Sequence, residues 1–338
     1  MTARSRIIAL VAAVVVIVTS ATAYAVREAR HQRTPPGASP EAEAPRASTI
    51  GSEARIVFRH TGVDSHYGLV AMVALDDPGG ARDFTEVACD RVDAGVDGAS
   101  CLRTQRGVAT KFEADTYDAD WHELSSAPLP GVPSRTRLSP DGSLVATTSF
   151  VSGHEYRQTG FSTETRIRAF DGQDLGNLEE FALSLDGKVT APADRNIWGV
   201  TFVNNNAFYA SVGTGEKTYL VKGDRLARTL TSVTQNAECP SVSPDHQRVA
   251  FKVDLDPGPA KNWGLAVLDL ETGKRTPLTN GPQGVDDQVE WLDDNTLLYG
   301  LPRADEPGVT DVWSIATTPK AKPKLLIEQA WSPSVIRG

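Results

Sequence analysis

Hydrophobic and polar positions alternate along most of this chain in short stretches, and one pair of stretches is nearly duplicated. RLSPDGSLVATT (Arg137 to Thr148) is echoed about a hundred residues later by SVSPDHQRVAFK (Ser241 to Lys252). In each, Ser, Pro, Asp and then Gly or His occupy the four positions of a type I turn, where Pro presets φ and Asp bonds local amides. Leu144, Ala146 and Thr148 alternate with their neighbours after the first turn, as Val249, Phe251 and Val253 do after the second, which is the two-residue period of a strand. Each copy therefore predicts a β-hairpin. A hairpin is marginal alone, so a repeated one predicts an array of units that bury their faces on one another.

Aligned on the junction between strand and turn, Leu138-Ser-Pro-Asp-Gly, Phe202-Val-Asn-Asn-Asn, Val242-Ser-Pro-Asp-His, Trp291-Leu-Asp-Asp-Asn and Trp331-Ser-Pro fall in one column. Asp141, Asn205, Asp245 and Asp294 share its third turn position. A third strand follows each hairpin, in RIRAFDGQDLG, KTYLVKGDRLA, LAVLDLETGKR and DVWSIATTPKA. Column spacings run from about 40 to about 64 residues, the size of a four-stranded propeller blade, the longest swollen by the insertion HEYRQTGFSTET. The folded part opens with ARIVFRH and GLVAMVALDD, a second and a third strand, and ends with WSPSVIRG, a first strand. Joined, they make a composite blade that closes the ring and removes exposed edges. With a Cys-containing blade from about residue 86 the total is six.

The blade pattern resembles the TolB-type β-propeller repeat: a strand, SPDG, a strand like IAF, then a strand ending in D-x-x-G before Leu-Thr. CPSVSPDHQRVAF with LAVLDLETGKRTPLT carries the resemblance best, and RTRLSPDGSLVAT next. The resemblance covers most of residues 53 to 338 and implies a six-bladed fold, with a role in extracytoplasmic protein docking as a family-level expectation.

Composition fits an all-β chain: 40% apolar residues, and 28 Gly with 21 Pro to punctuate short strands. The net charge of −9, with several positive charges before residue 47, argues against nucleic acid as a partner. Arg4 and Arg6 precede the apolar run Ile7 to Val18, and Ala23 and Ala25 have signal-peptidase spacing, so export is expected. Residues 1–26 read either as a signal cleaved after Ala25 or as one hydrophobic helix retained as a membrane anchor facing the extracytoplasmic side. Residues 27–52 read as a disordered Pro/Ala-rich linker, and 53–338 as the propeller. Of three cysteines, Cys89 in EVACDRV and Cys101 in ASCLRTQ lie on neighbouring strands joined by the Gly-rich DAGVDG turn and are expected to pair, leaving Cys239 as a buried thiol.

Catalytic motifs are mostly absent. GTGEKT (Gly213 to Thr218) lacks the spacing of a phosphate loop and reads as a hairpin turn, and no G-x-S-x-G elbow occurs. The histidines show no metal-ligand spacing, His154 in the insertion being the one singled out for a role. Neither a cofactor nor a metal is called for. The expected function is a non-catalytic, monomeric extracytoplasmic binding or scaffold module for an envelope protein or peptide. The alternative is a lyase or hydrolase acting on a carbohydrate or peptide at the propeller mouth. Loops entering the innermost strands should converge at one channel end, which nominates Arg135, Arg137, Asn196, Trp198, Glu238, Asp286 and Asp287, with Ser134, Glu328 and Gln329 beside them.

Overall fold

The repeated hairpins become blades. The computed structural model describes residues 49–50, 53–151, 162–255, 262–279, 281 and 284–337. The N-terminal segment, most of the linker, and His154 with the first part of the insertion lie outside the described residues. Among the described residues the chain is all-β, apart from one 3₁₀ turn at Leu178–Glu180, and it forms six sheets.

Blade 1 is Ala330–Ile336, Arg55–His60, Leu69–Ala74 and Asp83–Ala88, from innermost to outermost. The C-terminal strand thus pairs antiparallel with the first strand of the folded part, Ile56 opposite Val335 and His60 opposite Ala330. Blades 2 and 3 begin at Arg91–Gly95 and Val132–Leu138. Blades 4, 5 and 6 begin at Asn196–Phe202, Glu238–Val242 and Glu290–Asp293. Each of these six innermost strands contacts the next, and that of blade 6 contacts that of blade 1.

Blade faces are buried on both sides, which explains why many strands read as apolar runs. In Arg55–His60, Ile56 and Phe58 pack toward blade 6 while Val57 packs toward blade 2. In Arg248–Asp254, Val249, Phe251 and Val253 face blade 4 while Ala250 faces blade 6. The two-residue period thus sorts each strand between two seams. Hydroxyls and an indole tie the seams: Ser100 to Thr136 at 2.6 Å, Thr163 Oγ1 to the Ile197 carbonyl at 3.0 Å, and Trp291 Nε1 to the Ser241 carbonyl at 2.9 Å.

The SPDG turns join the two innermost strands of blades 3 and 5. Asp141 Oδ1 accepts from the Ser143 amide at 3.0 Å, and Asp245 Oδ1 from that of Gln247 at 3.0 Å. In the divergent blades this role shifts by one residue, to Asn204 and Asp293, whose Oδ1 atoms accept from the Asn206 and Asn295 amides. Asn205 and Asp294 instead bond the neighbouring turn: Asn205 Nδ2 donates to Asp141 Oδ2 at 2.5 Å, and Asp294 Oδ1 accepts from the Asp245 amide at 3.0 Å.

Four readings change. Trp331-Ser-Pro is not a turn, because the segment is the middle of a strand with Ser332 in the left-handed region at φ 53°. EVACDRV is not one strand: blade 1 ends at Ala88 and blade 2 begins at Arg91. The Cys89–Cys101 disulfide, with 5.5 Å between Cα atoms, therefore staples the link between two blades to the second strand of blade 2. The end of the insertion, Ser162–Thr165, is the start of a blade 3 strand. Finally, blade 4 has six strands, because Ala182–Leu185 runs parallel to Thr229–Gln235 and pairs with Lys188–Thr190. GTGEKT is a hairpin turn, with Gly215 and Glu216 both at positive φ.

The 3₁₀ turn that leads into those added strands buries Leu178 and leaves Glu179 Oε1 enclosed without a hydrogen-bond partner. Burial pushes the Glu179 carboxyl up to about 7, with Arg195 opposing and Glu164 reinforcing the shift. The folded state then holds a proton that the unfolded chain has lost between about pH 4.5 and 7, so stability falls as pH rises through that window. Glu179→Gln is expected to flatten this slope and to stabilise the protein above pH 7 by roughly 1–3 kcal/mol, read by denaturant melts at pH 5 and 8. Deleting Trp331 to Gly338 would unpair Arg55–His60. Loss of the cooperative thermal transition, or aggregation, is the expected outcome, and an unchanged melt would contradict it.

Candidate functional site

The innermost strands enter the channel at one end and leave through the turns at the other. At the entry end, charged side chains from four blades meet. Arg135, on the innermost strand of blade 3, reaches across the ring, where Nη2 donates to the Asp286 carbonyl at 3.0 Å and Nη1 donates to the Ser134 carbonyl at 2.7 Å. Asp286 and Asp287 precede the innermost strand of blade 6. Arg91, at the start of blade 2, holds Asp287 Oδ1 at 3.3 Å and lies over the Trp331 ring at 4.9 Å. Lys252, on the second strand of blade 5, donates to Asp286 Oδ1 at 3.0 Å and sits 4.7 Å from the centre of the Trp263 ring. Gln288 also crosses the channel, donating to the Val200 and Pro240 carbonyls at 3.1 and 2.7 Å.

Burial divides this cluster. Lys252, Arg135 and Arg91 side chains are 4%, 10% and 16% exposed, and Asp287 is 3% exposed, whereas Asp286 is 85% exposed. Asp286 projects into water inside a ring of protein. Partial desolvation opposes its ionisation, but Lys252, Arg135 and Arg91 outweigh that and hold its carboxyl below the ordinary value. Burial and the nearby Arg135 charge push Arg91 down to about 10. Asp287 Oδ2 is buried with no hydrogen-bond partner, and it lies against Gly300. That position has no room for a side chain, since a Cβ would meet the Trp331 ring at 2.3 Å.

One layer toward the turns, Arg137 Nη1 bonds Asp93 Oδ1 at 3.2 Å and Glu290 Oε2 at 2.5 Å, again joining blade 3 to blades 2 and 6. Burial raises the Glu290 carboxyl above its usual range, with Arg137 opposing and Asp93 adding to the rise. Beyond this layer a cavity of about 380 Å³ opens at the turn end, lined by Ser139, Ser243, Trp291 and Arg337 among others. Ser139 and Ser243 are occupied by turn geometry: their Oγ atoms accept from the Leu144 and Arg248 amides and donate to Asp141 and Asp245. Among the described residues no three His, Cys, Asp or Glu side chains are grouped to hold a metal ion.

Of the residues nominated from sequence, Arg135, Asp286 and Asp287 are brought together, with Ser134 beneath Arg135. Glu238 is half-buried opposite Lys252 in strand register. Arg137 belongs to the deeper layer. Asn196 and Trp198 are elsewhere: Asn196 Oδ1 accepts from the Thr163 amide at 2.9 Å across the seam to blade 3, and Trp198 is buried against Gly213. A bulge between Trp198 and Thr201, with Gly199 at φ 65°, re-aims that strand. Glu328 and Gln329 join a different group, where their carbonyls accept from Arg82, whose Nη1 also contacts His60 Nδ1 at 2.8 Å. Arg91 and Lys252 were missed, because blade 2 has no SPDG-like turn to align and Lys252 is on a second strand. Cys239 is buried at φ 49° and adjoins the Arg135 guanidinium.

These features define a six-bladed all-β propeller with charge gathered at one channel end. The fold is that of the TolB-like propellers. TolB from Acinetobacter baumannii superposes with a TM-score of 0.57 at 13% identity, over 83% of this chain and 66% of that one, so the chain spans just under two thirds of its length. A puromycin-hydrolyzing peptidase from Mycobacterium tuberculosis gives 0.51 at 13% identity, over 85% of this chain and 48% of that one. A putative TolB from Agrobacterium tumefaciens gives 0.47 at 10% identity, over 82% and 89%. No family model and no curated protein matches the sequence.

Asp287 is a buried carboxylate whose removal leaves Arg91 and its surroundings uncompensated. Asp287→Ala is expected to cost about 3 kcal/mol of stability in denaturant unfolding, and Asp287→Asn less.

Proposed function

We propose that this chain is an exported, non-catalytic binding module that engages a protein or peptide of the cell envelope at the entry end of its channel. The observation that carries the reading is the convergence of Arg91, Arg135, Lys252, Asp286 and Asp287 from four blades on one concave opening. Holding buried charges there is costly for a surface that only needs to be solvated. The Cys89–Cys101 disulfide and the apolar segment after Arg4 and Arg6 support export, with residues 27–52 as the tether and 53–338 as the working domain. The pairing of the terminal strands is, in this reading, the clasp that holds the ring shut. The TolB-like fold is compatible with protein docking, and the likeness to a peptidase keeps turnover at the mouth as the alternative.

Photocrosslinking of the full-length protein in its native envelope tests this. A crosslinking side chain at Val132, 52% exposed at the start of the innermost strand of blade 3, is expected to trap a partner. The same group at Val189, 85% exposed on the outer edge of blade 4, is expected not to. Adducts from Val189 alone would move the site to a side face. Turnover of a peptide or carbohydrate that is lost in Arg135→Gln would replace binding by catalysis.

A further inference from the structure

We infer that Asp286 is an internal occupant of an anion seat, and that the ligand of the channel mouth is a carboxylate presented by an acidic peptide, which takes the place of Asp286. The inference rests on the mouth being the binding site. Its basis is the split in burial within the cluster. The cationic heads of Lys252, Arg135 and Arg91 come from three blades and are largely buried, and they are fixed from below by the Trp263 and Trp331 rings and by Asp287. Such groups cannot leave their places without exposing buried partners. Asp286 can, because its side chain is 85% exposed while its backbone carbonyl separately anchors Arg135.

The exchangeable member of the network is therefore negative. Asp286 Oδ1 sits 3.0 Å from Lys252 Nζ and 4.0 Å from Arg135 Nη2, with Arg91 acting on it from further off. A peptide carboxylate can make the same contacts once Asp286 swings into the solvent it already faces. Glu238, half-buried across from Lys252, places a second carboxylate at the rim, and Asp90 stands 4.0 Å from Arg59 nearby. These acids keep the free mouth close to neutral. Selectivity then comes from which charge can be displaced, and not from a net positive field.

The sign of one substitution decides the matter. With the full-length protein at low salt, fluorescence anisotropy is measured for labelled hexaglutamate, hexalysine and an oligouronate. Asp286→Ala, which removes the competing carboxylate and leaves the carbonyl that holds Arg135, is expected to tighten hexaglutamate binding about tenfold and to leave hexalysine no better bound. Arg135→Gln and Lys252→Gln are each expected to weaken hexaglutamate, with thermal melts run alongside to show that the variants are folded at the assay temperature. Weakening by those two variants without a gain in Asp286→Ala would overturn the occupant while leaving the mouth as the site. No response to any of the three would remove the mouth itself. Tighter binding of hexalysine by the parent than by Asp286→Ala would reverse the ligand's sign, and preference for the oligouronate would overturn the peptide assignment.

Discussion

Two arginines of one strand hold opposite sides of the ring in register. Arg135 and Arg137, two residues apart on the innermost strand of blade 3, both reach blade 6, one through the Asp286 carbonyl and the other through Glu290. Arg91 and Gln288 likewise bond past an intervening blade, whereas the apolar seams join neighbouring blades and fix spacing but are tolerant of small rotations. A hydrogen-bonded guanidinium across the channel is directional and fixes the distance between strands that never pack together. It is also unforgiving, since a buried charge is stable only while its partners stay in place. The polar filling of the channel and the apolar filling of the seams thus do different jobs.

How much of this could be read from the sequence follows from how local each signal is. The SPDG turns declare themselves because Pro140, Asp141 and Gly142 act within four residues, and His246 holds the left-handed position in the second copy where Gly142 stands in the first. Arg135, Asp286 and Asp287 were nominated by counting back from the turns, and the structure brings them near one another. The same count misplaced Asn196 and Trp198, since the bulge at Gly199 shifts which side chains face inward, and nothing at those positions marks a bulge other than the glycine itself. The parallel strand Ala182–Leu185 was invisible for a related reason: its partner Thr229–Gln235 is some 45 residues away, and parallel pairing has no turn to announce it.

Lys252 shows how burial overrides a surface reading. It stands between Phe251 and Val253 in the alternation after the second turn, yet the side chain is 4% exposed, its ammonium on Trp263 and Asp286. The alternation is real, but in a blade both faces are interior. A polar residue in such a strand must therefore find a partner, and Lys252 finds it in the loop before blade 6.

The two channel ends are consequently unlike. At the turn end, Asp141 and Asp245 cap their own turns and are bonded to the turns of the next blades by Asn205 and Asp294, so adjacent blades are locked there. The entry end has loops in place of short turns, and the contacts between its blades run through long side chains with ionic heads. Between them, the Arg137 layer separates the 380 Å³ cavity from the charged mouth. A ring made rigid at one end by short side chains and backbone amides can let the other end adjust by a change of rotamer alone. That division places adaptability on the loop that carries Asp286, where a bound segment would compete with contacts the protein already makes to itself.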